Sequence, residues 1–258
     1  MTLGGNATGV IVRLDTVDST QSVAFALAER GAADRTVVVA DQQLAGRGRR
    51  GRSWRAPAGT SLLASIIVRP RLPQALLSTL SLTTAVAAAE ALRRVAKVDA
   101  RLKWPNDVLV AGKKVAGILL ESRMSGGTAG TSSVVTIIGV GINLGQREFP
   151  PDLAEGATSI AVETGQAPSR ESVLAALLDE FDAWRARLES EGFAPVREAW
   201  RQLSDTLGRR VTVDAVTGVA TDLDADGALL VDVAGSLTRV LAGVVSPGDT
   251  VGATAPAS

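Results

Sequence analysis

Positively charged side chains on a flexible backbone are concentrated at residues 46–54, which read GRGRRGRSW. Four arginines stand among three glycines there, although the formal net charge of the 258-residue chain is zero. Arginine binds carboxylates and phosphates through charge-assisted hydrogen bonds, and glycine lets the backbone approach a ligand closely. Three kinds of site use such residues: a dinucleotide fingerprint, a phosphate loop and an arginine-rich nucleic-acid segment. A solvated charged turn is the simplest alternative.

The composition excludes several kinds of chemistry. The chain contains no cysteine and no histidine. Disulfides, thiolate and histidine catalysis, and zinc sites built from these residues are therefore excluded. Carboxylates, lysines and arginines remain, which suits a reaction whose nucleophile is already an anion.

The glycine–arginine segment satisfies only half of each familiar motif. Gly46, Gly48 and Gly51 have the spacing of a dinucleotide fingerprint, and Arg52 takes the position of the lysine in a phosphate loop. Both motifs require a helix to begin there, whereas Pro57 interrupts the residues that follow. A nucleic-acid segment normally lies in a basic domain with interleaved aromatic side chains, and this chain is neutral. The segment alone therefore does not decide the function.

The elements that must position this segment predict an α+β fold with a mixed, largely antiparallel sheet. β-branched runs joined by hairpin-like turns are typical of that class rather than of doubly wound α/β. Strands are predicted at 9–14, 36–42, 60–68, 101–110, 111–122 and 133–144, and helices at 18–31, 73–95, 169–190 and 193–207. Residues 145–168 show no period and are predicted to be a loop.

A change to short β runs near Gly208 predicts a second unit, a small all-β barrel domain. We therefore predict a catalytic domain at 1–206 and a C-terminal domain at 207–258. The sequence DLDADG from Asp222 resembles the start of a calcium loop, but Val233 replaces the closing glutamate. It predicts a hairpin turn. The N-terminus lacks a signal-peptide pattern and the longest apolar run reads as a buried helix, so we expect a cytoplasmic protein without a membrane span.

Further motifs follow in a fixed order: KWPND at 103–107, KKVAGILLE at 113–121 and GVGIN at 139–143. Together with DSTQ at 18–21 and the segment 46–54, they resemble the biotin protein ligase family, in the superfamily of biotin and lipoate ligases. That family also has a small β domain at its C-terminal end. The resemblance implies a class II synthetase-like catalytic domain, of the short class that lacks a DNA-binding domain.

The resemblance also implies a role for individual residues, with 46–54 as a loop that orders over the ligand. The residues implied for biotin are Ser19, Thr20, Gln43, Gly46, Arg47, Lys114 and Gly117. Those implied for ATP or adenylate are Arg49, Arg50, Arg52, Trp54, Asn106, Lys114 and Asn143. The implied catalytic residues are Lys114, Arg49 and Arg47, and no metal ligand is implied.

Several of these residues have a simpler interpretation. Ser19 could be only a helix N-cap, Asp107 a turn former, and Trp104 a packing residue. Lys103 and Lys113 could be solvated. The family often has asparagine where this chain has Gln21, so the role of that position stays open.

The implied reaction is ATP-dependent attachment of biotin to a lysine through biotinyl-5'-adenylate, with ATP and biotin as substrates and magnesium as the cofactor. The implied partner is the biotin carboxyl carrier domain of an acyl-CoA or pyruvate carboxylase. We expect a monomer or homodimer with no nucleic-acid or membrane partner. A lipoate or octanoyl ligase or transferase, and a silent biotin-binding module, remain as alternatives, although the missing cysteine disfavours octanoyl transfer.

Overall fold

A computed structural model describes residues 9–125 and 133–247. Its larger sheet has seven strands in the order β1-β2-β3-β7-β6-β5-β4. β1 and β2 are parallel and all other neighbours are antiparallel, which confirms the predicted mixed sheet. The strands are β1 (Ile11–Val17), β2 (Val37–Gln43), β3 (Ser61–Val68), β4 (Arg101–Lys103), β5 (Asp107–Val110), β6 (Lys113–Ser125) and β7 (Ser133–Asn143).

Helices cover this sheet and complete the main core. Every residue of the central strand β3 is buried, because both faces of the sheet are covered there. The helices are α1 (Thr20–Glu29), α2 (Thr79–Ala96), α3 (Ile160–Thr164), α4 (Arg170–Glu191) and α5 (Ala194–Leu203). Within the described residues, one stretch is long and apolar enough to cross a membrane, Gln74–Ala96, and 67% of its most apolar window is buried inside the protein. It is therefore part of the core, as predicted.

Five further strands form a separate, wholly antiparallel sheet in the order β11-β10-β9-β8-β12. They are β8 (Arg210–Val213), β9 (Val216–Leu223), β10 (Leu229–Val233), β11 (Ser236–Val240) and β12 (Val245–Pro247). The prediction of a small C-terminal β domain is confirmed. Residues 224–228 join β9 to β10 as a hairpin turn, and Asp224 and Asp226 both bind Arg239. The boundary at 206/207 stays a prediction.

Local predictions were wrong in several places. The predicted strand 101–110 is a hairpin, because β4 and β5 pair antiparallel around the turn at 104–106. The predicted loop 145–168 contains the short helix α3, which Ser159 caps by accepting a hydrogen bond from the Val162 amide at 3.2 Å. Five residues are too few to show a helical period. The predicted helix 73–95 begins later, at Thr79, because the 3₁₀ turn Gln74–Leu76 precedes it.

Trp104 connects the two sheets through a buried hydrogen bond. Its side chain is 2% exposed, and its indole Nε1 donates a hydrogen bond to the Gly227 carbonyl in the β9–β10 turn at 3.1 Å. The packing role weighed for Trp104 is thus the one that the structure shows.

We expect the Trp104→Phe substitution to lower the free energy of unfolding by about 1–2 kcal/mol, because the buried Gly227 carbonyl loses its donor. Urea denaturation followed by far-UV circular dichroism measures this change. An unchanged midpoint would show that the hydrogen bond contributes nothing to holding the C-terminal sheet in place.

Candidate functional site

The site is built on a floor of glycines in the large sheet. Gly117 of β6 pairs with Gly141 of β7, and Gly139, two residues before Gly141, faces the same side of the strand. A Cβ atom at Gly141 would lie 2.5 Å from the Trp54 ring, and one at Gly139 would lie 2.3 Å from the Gln21 side-chain oxygen. A side chain at either position would force the Trp54 ring or the Gln21 side chain to move, so glycine is what lets these groups lie directly on the backbone.

The glycine–arginine segment folds back on itself above this floor; we call residues 46–54 the arginine loop. Arg47 bridges to Ser53, and the Trp54 amide donates to the Gly46 carbonyl at 2.9 Å. A Cβ atom at Gly46 would lie 2.4 Å from the Trp54 carbonyl and 3.1 Å from the Gln43 amide nitrogen. The loop therefore needs glycine at its base to carry Trp54 onto the floor.

Trp54 lies between two cavities. The inner cavity, about 30 Å³, lies against the start of α1, and the outer cavity, about 150 Å³, lies against Asn106, β6 and residues 146–157. Arg47, Trp54 and Gly117 line both cavities. The two spaces thus meet at a cationic junction beside an aromatic ring.

Hydroxyl and amide groups line the inner cavity. The Gln43 side-chain oxygen accepts hydrogen bonds from the Thr20 amide at 2.8 Å and from the Thr20 hydroxyl at 3.0 Å. The Thr20 hydroxyl also contacts the Ser65 hydroxyl at 2.8 Å. Ser19 stands at the N-cap of α1, yet its side chain makes no capping hydrogen bond. Its hydroxyl is therefore not used for capping, contrary to its simplest interpretation.

Gln21 connects the inner cavity to the arginine loop. Its side chain is buried and donates from Nε2 to Glu121 at 2.9 Å. Glu121 in turn forms an ion pair with Arg47 at 2.9 Å. The longer glutamine side chain at this position therefore helps to orient the anion that holds Arg47.

A β-bulge brings Lys114 to the junction. The β5–β6 register shifts between Val108 and Leu109, so that Ala116 opposes the first and Lys114 the second. In a regular strand, residues three apart face opposite sides, whereas here the Lys114 ammonium lies 3.1 Å from a Cβ built on Gly117. It forms an ion pair with Asp107 at 2.5 Å. Asp107 is thus the partner of this lysine and not merely a turn former.

Arg49 lines the outer cavity, and the side-chain amide of Asn106 orients its guanidinium. Its guanidinium donates to the Asn106 side-chain oxygen at 2.9 Å, while the Asn106 amide group donates to the Ile118 carbonyl at 2.8 Å. Burial lowers the pKa of Arg49, with the charges of Arg50 and Arg52 acting the same way and that of Asp107 opposing them. Since the ordinary value for arginine is far above neutral, Arg49 stays charged.

The structure brings nearly all of the sequence-predicted residues to these two cavities. The inner one is lined by Ser19, Thr20, Gln43, Arg47, Trp54 and Gly117. The outer one is lined by Arg47, Arg49, Arg52, Trp54, Asn106, Lys114, Gly117 and Asn143. Gly46 accepts the hydrogen bond of the Trp54 amide at the base of the loop. Lys113 is exposed.

Arg50 is the residue implied for ATP that lies away from the outer cavity. It lines neither cavity, and its guanidinium contacts Asp214 in the C-terminal sheet at 2.7 Å. The structure therefore does not bring Arg50 together with the residues implied for ATP phosphates.

Some lining residues were missed from the sequence. The outer cavity also contacts Gln146, Phe149, Leu153 and Ala157. The sequence predicts an aperiodic loop for their segment, but it is fixed against β6, where the Lys114 amide donates to the Gly156 carbonyl at 2.8 Å. A detectable signal did exist for the floor, because Gly139 and Gly141 alternate with the period of a strand face.

Comparisons with known proteins agree with this architecture. Residues 14–143 match the model of the Biotin/lipoate A/B protein ligase family, and residues 206–247 match that of the Biotin protein ligase C terminal domain. A biotin–[acetyl-CoA-carboxylase] ligase of Paracoccus denitrificans is 40% identical over 83% of this chain and 90% of its own length. Its Mycobacterium tuberculosis counterpart is 34% identical over 93% of this chain and 88% of its own length.

Among solved structures, the biotin protein ligase from Aquifex aeolicus in complex with biotin and ATP superposes with a TM-score of 0.79 at 29% identity, covering 92% of this chain and 97% of that chain. The family models, the curated relatives and the fold agree on both parts of the molecule. The chain therefore belongs to the biotin protein ligase family.

Proposed function

We propose that this protein attaches biotin to a lysine of a biotin carboxyl carrier domain through biotinyl-5'-adenylate, at the expense of ATP. The observation that carries the proposal is the junction of the two cavities, lined by Arg47, Trp54 and Gly117. A molecule with a neutral polar head and an acidic tail would fill the inner cavity and present its carboxylate at that junction. A nucleotide in the outer cavity would meet it there.

The inner cavity suits biotin better than lipoate. Biotin carries a ureido head with donors and an acceptor, which match the hydroxyl groups of Ser19 and Thr20 and the amide of Gln43. The apolar dithiolane of lipoate would make no hydrogen bond with the Ser19 hydroxyl or the Gln43 side-chain nitrogen, and a site whose polar groups gain no partner disfavours a ligand. This favours biotin over the lipoate and octanoyl alternatives.

In the first step, a biotin carboxylate oxygen attacks the α-phosphorus of ATP, and the bond to the β-phosphate breaks as pyrophosphate leaves. The main obstacle is repulsion between two anions. Arg47, Arg49 and Lys114 neutralise the carboxylate and the α-phosphate, and they are held in place before the reaction begins. Their fixed charge supplies electrostatic stabilisation without a histidine.

Asn106 and Asn143 complete the nucleotide side in this proposal. Asn106 orients Arg49, and the Asn143 amide donates to the Thr158 carbonyl at 3.0 Å, which fixes it in the wall of the outer cavity. Arg52 adds positive charge at the rim, and Trp54 offers a ring face to the adenylate.

Magnesium enters this scheme bound to ATP. Across residues 9–125 and 133–247, no group of three or more acidic side chains could hold a metal ion. Magnesium usually keeps phosphate and water ligands and needs few from the protein. The ion would neutralise the pyrophosphate that leaves.

In the second step, the neutral amine of the carrier lysine attacks the acyl carbon and AMP leaves. We infer that the carrier is the biotin domain of an acyl-CoA or pyruvate carboxylase, that the enzyme is cytoplasmic, and that it acts as a monomer or homodimer. We place the catalytic part at 1–206 and the C-terminal part at 207–258. No step requires nucleic acid or a membrane.

The small inner cavity supports a lid role for the arginine loop. A space of about 30 Å³ holds little more than one water-sized group. The bicyclic head of biotin can enter only if Trp54 or the side chains around it move. The glycines of the loop permit such a movement.

We expect incubation with ATP, magnesium, biotin and a carrier domain to add one biotinyl group to the carrier, as seen by intact-mass analysis. Omitting ATP should abolish the addition, because no adenylate forms. Transfer of lipoate or octanoate in place of biotin would assign the site to the rival enzyme.

We expect the Lys114→Ala variant to slow pyrophosphate release by roughly 100-fold while biotin affinity falls much less, because its charge acts where carboxylate and phosphate meet. Lys113→Ala, which removes the adjacent exposed lysine, is the matched control and should behave as wild type. Thermal melting checks that the variant stays folded although Asp107 has lost its ion-pair partner. Equal pyrophosphate release in both variants would refute the role of Lys114.

We expect amide exchange across residues 46–54 to be faster in the free protein than once biotinyl-adenylate is bound, with the flanking strands little changed. Arg49→Gly should release adenylate early and increase biotin labelling of albumin, whereas Arg49→Lys, which keeps the charge, should leak less. Exchange that does not respond to ligand, together with no extra labelling, would leave these arginines as binding charges only.

A further inference from the structure

Arg50 forms a bidentate ion pair with Asp214 of the C-terminal sheet. Its Nη1 donates to Asp214 Oδ1 at 2.8 Å and its Nη2 donates to Oδ2 at 2.7 Å. Parallel bonds of this kind fix the orientation of both planar groups. The hydrogen bond to Asp214 raises the pKa of Arg50, and the hydrogen bond from Arg50 lowers the pKa of Asp214.

Both residues of the pair have an unusual backbone conformation. Arg50 has φ 55° and Asp214 has φ 52°, so both lie in the left-handed region. Asp214 opens the two-residue turn between β8, which ends at Val213, and β9, which begins at Val216. Aspartate is common in such turns, but asparagine serves the turn equally well. The turn therefore does not by itself require a charge at this position.

Consecutive residues at the tip of the arginine loop point to opposite partners. Arg49 and Arg50 begin the 3₁₀ turn Arg49–Gly51. The first donates to Asn106 in the large-sheet part of the molecule, and the second to Asp214 in the C-terminal sheet. The tip is thus held from two sides.

We propose that Asp214 is a positioning residue: by binding Arg50 it couples the C-terminal sheet to the arginine loop and keeps Arg49 against the outer cavity. Resting on the function proposed above, the consequence is that the adenylate is retained until the carrier lysine arrives. The pair is about half exposed, with 48% and 49% of the two side chains accessible. An exposed pair adds little to global stability. Because Arg50 lies in the arginine loop, loss of the pair should loosen that loop without unfolding the protein.

Asp214→Asn is the test variant, because it keeps the turn and removes the charge. In the ligand-free protein we expect amide exchange across 46–54 to rise by roughly two- to fivefold, the range expected for an exposed ion pair. The melting temperature should stay near that of wild type. In 1 M salt, where charges are screened within about 3 Å, the difference between variant and wild type should largely disappear.

Glu171→Gln is the matched control. This substitution breaks the Arg13–Glu171 pair, which is also exposed and bidentate, with contacts of 2.8 and 2.6 Å. That pair connects β1 to α4 and does not involve the arginine loop. Loop exchange should not change in this variant. The double variant Arg50→Asp with Asp214→Arg, which reverses the pair, should restore part of the protection.

The second readout is biotin labelling of albumin in the presence of ATP and biotin, which should increase in Asp214→Asn to a similar degree as loop exchange. Unchanged exchange in Asp214→Asn would overturn the coupling, whatever reaction the enzyme performs. Faster exchange without extra labelling would overturn the retention of the adenylate. If wild type itself forms no adenylate, the proposed function fails, while the exchange comparison still tests the coupling.

Discussion

The contact between the Trp54 ring and bare backbone is the constraint on which the rest of the site depends. A single Cβ atom at Gly141 would come within 2.5 Å of that ring, a distance that packed atoms do not tolerate. With the ring in place, the arginine loop closes and the space beneath it divides into an inner and an outer cavity. Glycine in these strands costs conformational entropy, but the missing side chains leave a gap between the sheet and the arginine loop.

The cations of the site explain how a neutral protein carries such a basic segment. Arg47 is paired with Glu121, Lys114 with Asp107, Arg50 with Asp214, and Arg55 with Asp152. Each pair limits the repulsion that the clustered positive charges would otherwise produce. Because the pairs are partly exposed, each is weak, so an anionic ligand can replace the protein carboxylate at a modest cost.

Much of the fold could be predicted from sequence because it depends on local patterns. The β-branched runs and the long apolar helix were sufficient to predict the fold class. The change to short β runs near Gly208 was sufficient to predict the second sheet. The order of five motifs was sufficient to collect most of the lining residues. What could not be predicted depends on register and on long-range contact: the bulge that turns Lys114 to the side of Gly117, the bond from Arg50 to Asp214, and the reach of Gln21 to Glu121 are not encoded in any single segment.

Arg49 differs from the other cations of the arginine loop in the kind of partner it has. A neutral amide, that of Asn106, accepts its hydrogen bond at 2.9 Å, so the position of the guanidinium is fixed by a partner that carries no opposite charge. Burial already lowers its pKa, which means that the protein holds this charge in a less favourable environment than water. An acyl-phosphate placed beside it would relieve that penalty without displacing a carboxylate. Among the three loop arginines whose guanidinium is bound to a protein side chain, Arg47, Arg49 and Arg50, Arg49 is therefore the one whose interaction with the ligand is least reduced by competition from a protein carboxylate.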